Sequence, residues 1–360
     1  MYKDCILITG GAGFIGSALS HLLRAEDPRP IVAIDVMHPQ VHRSGQRPPE
    51  LHSDVKLIVA DICEAETWTD FLSEWRPSLV IHLAAETGTG QSLNEASRHT
   101  HVNVTGTARM LDAFAAEGHV PERLVLTSSR AVYGEGVWET DDGRKIHPGQ
   151  RSKQMLDAGQ WDFPGAHALP FQADVTPPGP TSVYGATKLA QEHIFNAWAL
   201  SFGAEVAILR LQNVYGAGQS LDNPYTGIVS LFSRLAKAGQ SIPLYEDGLM
   251  RRDFVYISDV ASAVFAATRR PEAVGEIYDI GYGQPTTIMD IAETIAAHYG
   301  APAPHVCGKY RNGDVRHAGC KVERSLALGW QPEVTMVGGV RQLCDWIDAR
   351  LAAEASNERS

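Results

Sequence analysis

Thr9-Gly10-Gly11-Ala12-Gly13-Phe14-Ile15-Gly16-Ser17 is the stretch whose reading decides the fold. Gly11, Gly13 and Gly16 satisfy G-x-G-x-x-G, and Gly10, Gly13 and Gly16 satisfy G-x-x-G-x-x-G. A glycine pattern alone carries little weight, so its flanks matter. Before it, Cys5-Ile6-Leu7-Ile8 reads as a buried strand. After it, Phe14 to Arg24 reads as a helix with Leu19, Leu22 and Leu23 on one side. A glycine turn between a strand and a helix lets the backbone approach a pyrophosphate, and the helix N-terminus offers it free N–H groups.

The second strand, Ile31-Val32-Ala33-Ile34, ends at Asp35, about 20 residues after the turn. An acid there accepts the adenosine ribose hydroxyls and repels a 2′-phosphate, so NAD is expected rather than NADP. Arg43 and Arg47 downstream would soften that preference. Asp61-Ile62, after a strand at Val55–Val59, is placed to reach the adenine edge. Gly10, Gly13, Phe14, Ile15, Gly16, Asp35, Asp61 and Ile62 are thus the expected cofactor ligands.

Further out, apolar strands at Leu79–Leu83, Leu124–Thr127 and Val206–Leu211 alternate with helices at Val104–Glu117 and Tyr184–Leu200. Uninterrupted apolar strands separated by helices indicate a parallel sheet covered on both faces. The expected class is α/β, a Rossmann-type doubly wound parallel sheet with a smaller mixed α/β C-terminal substrate lobe. Residues 1–215 would form the nucleotide-binding domain, with 254–282 returning to it. Residues 216–253 and 283–350 would form the lobe, and 351–360 a frayed tail. Residues 135–176, rich in Gly, Pro, His and Trp, show no clear period and read as an irregular insertion.

Composition narrows the class. A formal charge of −11 argues against nucleic acid. No apolar run is long enough for a membrane span. No secretory leader is expected before the first strand. Five scattered cysteines, an odd number without a CxxC pair, argue against a disulfide framework or zinc site and fit a cytoplasmic location. His147 and His167 lack partners at metal spacing, so no metal is expected.

Tyr184-Gly185-Ala186-Thr187-Lys188 puts a phenol and an ammonium at i and i+4 on one helix face. A free tyrosine, with a pKa near roughly 10, is a poor base at neutral pH, and a lysine charge nearby would stabilise its phenolate. That phenolate would take the proton of a substrate alcohol as hydride leaves its carbon. Ser128 and Ser129, at a strand end, are the candidates to hold the substrate oxygen. Asn103 would be a helix cap, a polar anchor near the lysine, or both. The pair also suits a solvated helix face; the glycine turn and the serines upstream weigh against that.

At this point the chain resembles the extended short-chain dehydrogenase/reductase family, the sugar-nucleotide epimerases and dehydratases. The matching segments run in order along nearly the whole chain. They are the glycine turn, His82-Leu83-Ala84-Ala85, Asn103, Ser128–Gly134, Pro180–Lys188, Asn213–Gly216, Arg252–Val260 and Gly313–Arg316. The resemblance implies Ser129 as catalytic hydroxyl, Tyr184 as acid/base, and Lys188 as its tuner and cofactor-ribose ligand. It adds Leu83, Ala84, Ala85 and Asn103 to the cofactor set. Asn213 and Arg252 would hold a substrate diphosphate, with Asp314 and Arg316 beside it. Bidentate geometry favours arginine for that task; a surface charge pair or a lone salt bridge is the plainer alternative.

Dehydratases of the family carry Asp-Glu just after the catalytic hydroxyl. Here Arg130-Ala131 stands there, which disfavours elimination of water. The strings Glu86–Ser92, Ser129–Gly136 and Asp35–His42 look most similar to the dTDP-L-rhamnose 4-epimerase group. That likeness implies 4-epimerisation of a nucleotide 6-deoxyhexose through a 4-keto intermediate with tightly bound NAD. Thr87, Thr89 and Gln91 would line the sugar pocket or form an ordinary polar loop. Arg130 would face substrate, and Tyr245 would stack on the base or belong to the core. The alternatives are an NAD(P)H-dependent 4-ketoreductase using the same Ser129, Tyr184 and Lys188, and a non-catalytic NAD-binding scaffold. The family also implies a homodimer, through the helices at 104–117 and 184–200. Residues 135–176 would lid the site, cover the sugar or enlarge the dimer.

Overall fold

The computed structural model describes residues 2–42, 45–221 and 227–357. Strand β1 (Lys3–Thr9) lies inside a seven-stranded sheet, third from one edge. Around it come β2 (Ile31–Asp35), β3 (Lys56–Val59), β4 (Trp75–His82), β5 (Arg123–Ser129), β6 (Glu205–Leu211) and β7 (Glu276–Ile280). Their spatial order is β7-β6-β5-β4-β1-β2-β3, and every pairing is parallel. The chain therefore reverses its direction of travel across the sheet between β1 and β4. In open sheets of this kind, ligands bind beyond the strand C-termini at such a reversal.

Alternation along β1 divides the core into two layers. Ile6 and Ile8 face helices α1 (Phe14–Glu26) and α6 (Ile257–Arg269), packing on Leu19, Leu23, Val260 and Val264. Cys5 and Leu7 face the other way, onto α2 (Ala65–Glu74), α3 (Thr107–Ala116) and α4 (Val183–Phe202), through Trp68, Phe71, Met110, Phe114 and Phe195. A third core joins α5 (Ile228–Lys237), α7 (Ile288–Tyr299) and α8 (Met336–Asn357) through Phe232, Ile291, Ile295, Leu343 and Ile347.

Three elements differ from the sequence expectation. The helix expected to begin at Val104 is preceded by helical residues from Ala96, with a π-helical segment over His101–Gly106. Residues 135–176 are not irregular throughout. Trp138–Thr140 pairs antiparallel with Lys145–Ile146 and Ala166–Ala168, and Lys153–Asp157 is helical. These strands are two or three residues long, too short to display a period of two. Finally, α8 continues to Asn357, through most of the stretch read as a frayed tail.

Candidate active site

The glycine turn packs as tightly as its composition requires. Gly10 has φ +67°, and a Cβ on it would lie 2.7 Å from the Ala84 nitrogen. A Cβ on Gly16 would lie 2.5 Å from the Gly11 carbonyl oxygen. Gly13 stands at the N-terminus of α1 with Phe14 and Ile15 following. Asp35, at the end of β2, is buried; its carboxylate accepts from Ala12 N at 3.1 Å and Met37 N at 2.9 Å. One carboxylate thus ties the turn to the following loop, and His42 Nε2 approaches it to 3.9 Å. These are the features a dinucleotide requires: a backbone cradle that side chains would fill, a helix N-terminus and an acid at the strand end. The residues present fit NAD.

Around this cradle, Asp61 turns back to accept from Cys63 N at 2.8 Å, while Ile62 is buried against Gly106. Leu83, Ala84 and Ala85 leave the end of β4 half-buried, with Leu83 N donating to the Thr9 carbonyl. Of the two arginines expected to soften the NAD preference, Arg43 lies outside the described residues. Arg47 donates to the carbonyls of Val55 and His52, within its own loop.

Asn103 does not cap a helix. It sits inside the π-helical segment, fully buried. Its amide oxygen accepts from Glu86 N at 2.7 Å, and its Nδ2 donates to the Glu86 carbonyl and to Thr187 Oγ1, each at 3.0 Å. One side chain thereby pins the loop after β4 to the residue preceding Lys188. A wide π turn places such a group inward where a regular turn would not, and π segments recur at functional sites.

The two serines at the end of β5 part company. Ser128 is buried and donates to Glu192 Oε1, which also pairs with Arg210. Ser129 accepts from Ala131 N at 3.1 Å and hydrogen-bonds Tyr184. Tyr184 opens α4, whose N-terminus is fixed twice. Ser182 caps it by accepting from Gly185 N at 3.0 Å, and buried Ser92 accepts from Tyr184 N at 3.1 Å. Gly185 is required: a Cβ there would lie 2.3 Å from the Ala131 carbonyl oxygen. The turn that follows Ser129 is thus pressed against the start of the helix that carries Tyr184.

Lys188 lies one turn on, 2% exposed. Burial pushes its ammonium down to about 7, against the pull of Glu192. Burial also raises the Tyr184 phenol, and the charge that opposes this comes from Arg130, with the Ser129 hydrogen bond. Burial is thus the largest influence on both groups of the pair, raising the phenol and lowering the ammonium. Behind Lys188, His82 bridges Thr9 and Thr107 and is held neutral by burial, at about 3.

The substrate candidates divide in the same way. Arg130 Nε donates to Asn213 Oδ1 at 2.7 Å. Arg252 is buried and donates to the carbonyls of Arg251, Val315 and Arg316 at 2.6 to 3.2 Å. Among the described residues, no carboxylate forms an ion pair with either arginine. Burial works against the charge on both, with Arg252 adding to this at Arg130 and Arg151 at Arg252, while Asp314 and Glu135 favour the charge on each. Guanidinium groups without carboxylate partners suit an anion.

Arg316 is different. All five of its N–H groups are spent on Asp162, Glu246 and Asp247. Expected as a diphosphate handle, it is instead the centre of a carboxylate cluster and has no donor left for substrate. Buried Arg151, from the insertion, likewise binds Glu135, both oxygens of Glu246, and the carbonyls of Trp161 and Asp314. Glu246 holds φ +53° to serve both arginines. Nothing local in the sequence marked Arg151, Ser92 or Glu246: Arg151 and Glu246 meet across 95 residues, and Ser92 meets Tyr184 across 92. Ser182, by contrast, was findable as a serine immediately before a helical run.

Of the expected sugar contacts, Thr87 is exposed and its carbonyl faces His99; Thr89 opens a four-residue helix. Gln91 is buried and exchanges hydrogen bonds with Gln40, linking this loop to the one after Asp35. Tyr245 is half-buried with the Arg311 guanidinium 5.2 Å over its ring.

Comparisons with known proteins agree on one family. The family model described as "NAD dependent epimerase/dehydratase family" matches residues 6–281. The chain is 57% identical to dTDP-L-rhamnose 4-epimerase of Burkholderia thailandensis, over 96% of this chain and 95% of that protein. It is 30% identical to UDP-glucose 4-epimerase of Mycolicibacterium smegmatis, over 94% and 97%. Among solved structures, UDP-glucose 4-epimerase of Thermus thermophilus in complex with NAD superposes with a TM-score of 0.75 at 28% identity, covering 95% and 98% of the two chains.

Proposed function

The chain belongs to the NAD dependent epimerase/dehydratase family, and from that premise we propose a residue-by-residue account of an NAD-dependent nucleotide-sugar 4-epimerase acting on dTDP-L-rhamnose. What carries the reading is the 57% identity, over nearly the full length of both chains, to a dTDP-L-rhamnose 4-epimerase. The 4-ketoreductase alternative is not favoured by that relative.

NAD, when bound, accepts hydride from C4 and returns it. The chain's own residues do the rest. Gly10, Gly13 and Gly16 cradle the pyrophosphate against the N-terminus of α1, and Asp35 takes the adenosine ribose. Ser129 spends its one hydroxyl hydrogen on O4 of the sugar and so holds that oxygen within reach of Tyr184. Tyr184, as phenolate, takes the O4 proton and later gives it back. Lys188 holds the cofactor ribose, whose hydroxyls would hydrogen-bond its buried ammonium. Arg252, Arg130 and Asn213 receive the diphosphate, leaving the 4-keto sugar free to turn between the two hydride transfers. Residues 216–253 and 283–350 form the nucleotide-sugar lobe, with Tyr245 at the base and Asp314 at its ribose.

The assembly is a homodimer through α3 and α4, supported by Leu200 and Phe202, which α4 leaves exposed at its end. Sedimentation is expected to give twice the chain mass; a monomer at working concentration contradicts this. The five cysteines are free, which fits a reducing compartment. Among the described residues, no helix is long and apolar enough to cross a membrane.

The test is incubation of purified protein with dTDP-L-rhamnose without added cofactor, followed by NMR. Appearance of the C4 epimer is expected. Conversion that strictly requires stoichiometric NADPH would overturn the assignment.

A further inference from the structure

The loops that leave β2 and β4 are joined by a pair of side-chain amides. Gln40 Nε2 donates to Gln91 Oε1 at 3.2 Å, and Gln91 Nε2 donates back to Gln40 Oε1 at 3.4 Å. Strands β2 and β4 pair with β1 on its two sides, so the loops carrying Gln40 and Gln91 flank the glycine turn that follows β1. Strands on either side of a common neighbour lie about 10 Å apart, a span that suits two long amide side chains meeting end to end. The bridge therefore runs from one bank to the other of the crevice in which a dinucleotide lies.

Both ends of the bridge are held. On the β2 side, Met37 turns the chain at φ +53° with its N–H on Asp35, and Pro39 restricts the next bend. Gln40 N then donates to His38 Nδ1 at 3.2 Å, while Val41 N and His42 N donate to the His38 carbonyl at 2.9 and 2.8 Å. On the β4 side, Gln91 is buried, and its Nε2 also donates to Glu95 Oε1 at 3.1 Å. Arg98 ties the set together: its guanidinium donates to Gln40 Oε1 at 3.4 Å and pairs with Glu86 at 2.7 Å and Glu95 at 2.8 Å. The next residue, Ser92, accepts from Tyr184 N, so the bridge is built onto the segment that fixes the start of α4.

We propose that Gln40 and Gln91 form a clasp that closes over bound NAD and slows its release. The inference rests on the epimerase reading, which gives the clasp its purpose. Hydride taken from C4 has to return to the same sugar, so the reduced cofactor must stay while the 4-keto sugar turns. Neutral amides cover the crevice without adding charge beside the pyrophosphate. A neutral hydrogen-bonded pair is also weak enough to open and reclose, so the cofactor enters and then remains. The glycine cradle and Asp35 hold the cofactor by contact, whereas the clasp acts on its exit. Gln91 is then a cofactor-retaining residue rather than the sugar contact its loop suggested.

Gln40→Ala, Gln91→Ala and the double variant are purified as holoenzymes beside the parent. Two quantities are read on each: the rate at which bound NAD exchanges with excess isotopically labelled NAD, and the dissociation constant from the share of NAD retained after dilution. Each single variant is expected to exchange NAD roughly tenfold faster than the parent. The double variant should exchange no faster than the singles, because removing one end already opens the clasp. The dissociation constant should rise by less than the exchange rate, because an open clasp also admits NAD faster. Effects that multiply in the double variant, or equal rises in rate and dissociation constant, make the glutamines separate ligands and overturn the proposal. Unchanged exchange overturns it too, as does a parent whose NAD exchanges as fast as that of the variants. A raised KM for the sugar with unchanged NAD exchange returns Gln91 to the sugar pocket and has the same consequence. The exchange assay uses no sugar, so it decides the clasp even if the parent does not epimerise dTDP-L-rhamnose. Circular dichroism confirms folding, and half-buried Gln40 keeps the test open if loss of buried Gln91 costs the fold.

Discussion

The cofactor end and the substrate end of this site are built on opposite plans. At the cofactor end the ligands are backbone. Three glycines, a helix N-terminus and one carboxylate bonded to two N–H groups make a cradle whose shape is set within about 30 residues of chain. At the end proposed for substrate the candidate ligands are guanidinium groups from distant segments, and carboxylates decide which remain available. Arg252 and Arg316 look alike in sequence, each beside an aspartate in a familiar segment. One is left without a carboxylate partner, whereas the other has every donor occupied by carboxylates. Identical chemistry therefore builds one guanidinium into the architecture and leaves the other without a carboxylate, as the proposed diphosphate site needs, and only the long-range pairing tells them apart.

The sharpest way to break this contrast at the cofactor end is Gly10→Val. It forces a branched residue into φ +67° and against the Ala84 backbone. Strain of about 1–3 kcal/mol plus the clash should lower NAD content and turnover at least tenfold. Chromatographic assay of NAD released from the purified variant checks this, and a full complement would refute the cradle.

At the substrate end, paired variants separate the two arginines. Arg252→Met should raise KM roughly 10- to 100-fold, since a hydrogen bond to a charged group contributes about 1.5–3 kcal/mol, and lower stability by only about 1–3 kcal/mol through the carbonyls it leaves unpaired. Arg316→Met should instead destabilise the fold by about 3–5 kcal/mol, because buried Glu246 loses a partner and Asp247 loses its cation. Denaturant titration and steady-state kinetics on both variants are enough. A large KM effect from Arg316→Met with unchanged stability would reverse the roles.

A smaller effect concerns Lys188. Its ordinary value of 10.5 is held down to about 7 in the folded chain. Between those values the unfolded chain binds more protons, so this group's contribution to stability rises with pH through that window. Urea titrations of cofactor-free parent and Lys188→Met should show the parent gaining on the variant from neutral pH to about pH 9. Parallel curves would mean that Lys188 keeps an ordinary proton affinity. The smallest change is Asp35→Ser, expected to narrow the preference for NAD over NADP by about tenfold without loss of the epimerase reaction.

The same contrast explains what was legible in the sequence. The sheet, the glycine turn, Asp35 and the Tyr184–Lys188 helix were readable because each depends on neighbours close in the chain. By residue pattern alone Ser128 and Ser129 were equal candidates, and only the family resemblance named Ser129; the Ser128 hydroxyl goes to Glu192, 64 residues on. Asn103 could not be told from a helix cap, since its role depends on a π turn and on Thr187, 84 residues away. The insertion hid its order because its strands are too short to show a period. Its hold on the lobe rests on Arg151 reaching Glu246, 95 residues further along. Charge clusters assembled over such separations leave no local pattern to read.

The central claim is that hydride leaves C4 and returns to the same carbon from the opposite face, with Tyr184 carrying the proton. Substrate deuterated at C4, turned over in ordinary water without added cofactor, tests it most directly. The account predicts that the C4 epimer retains its deuterium at C4 and that Tyr184→Phe forms at least about a thousandfold less of it. Epimer that has exchanged its C4 deuterium for solvent hydrogen would contradict the account.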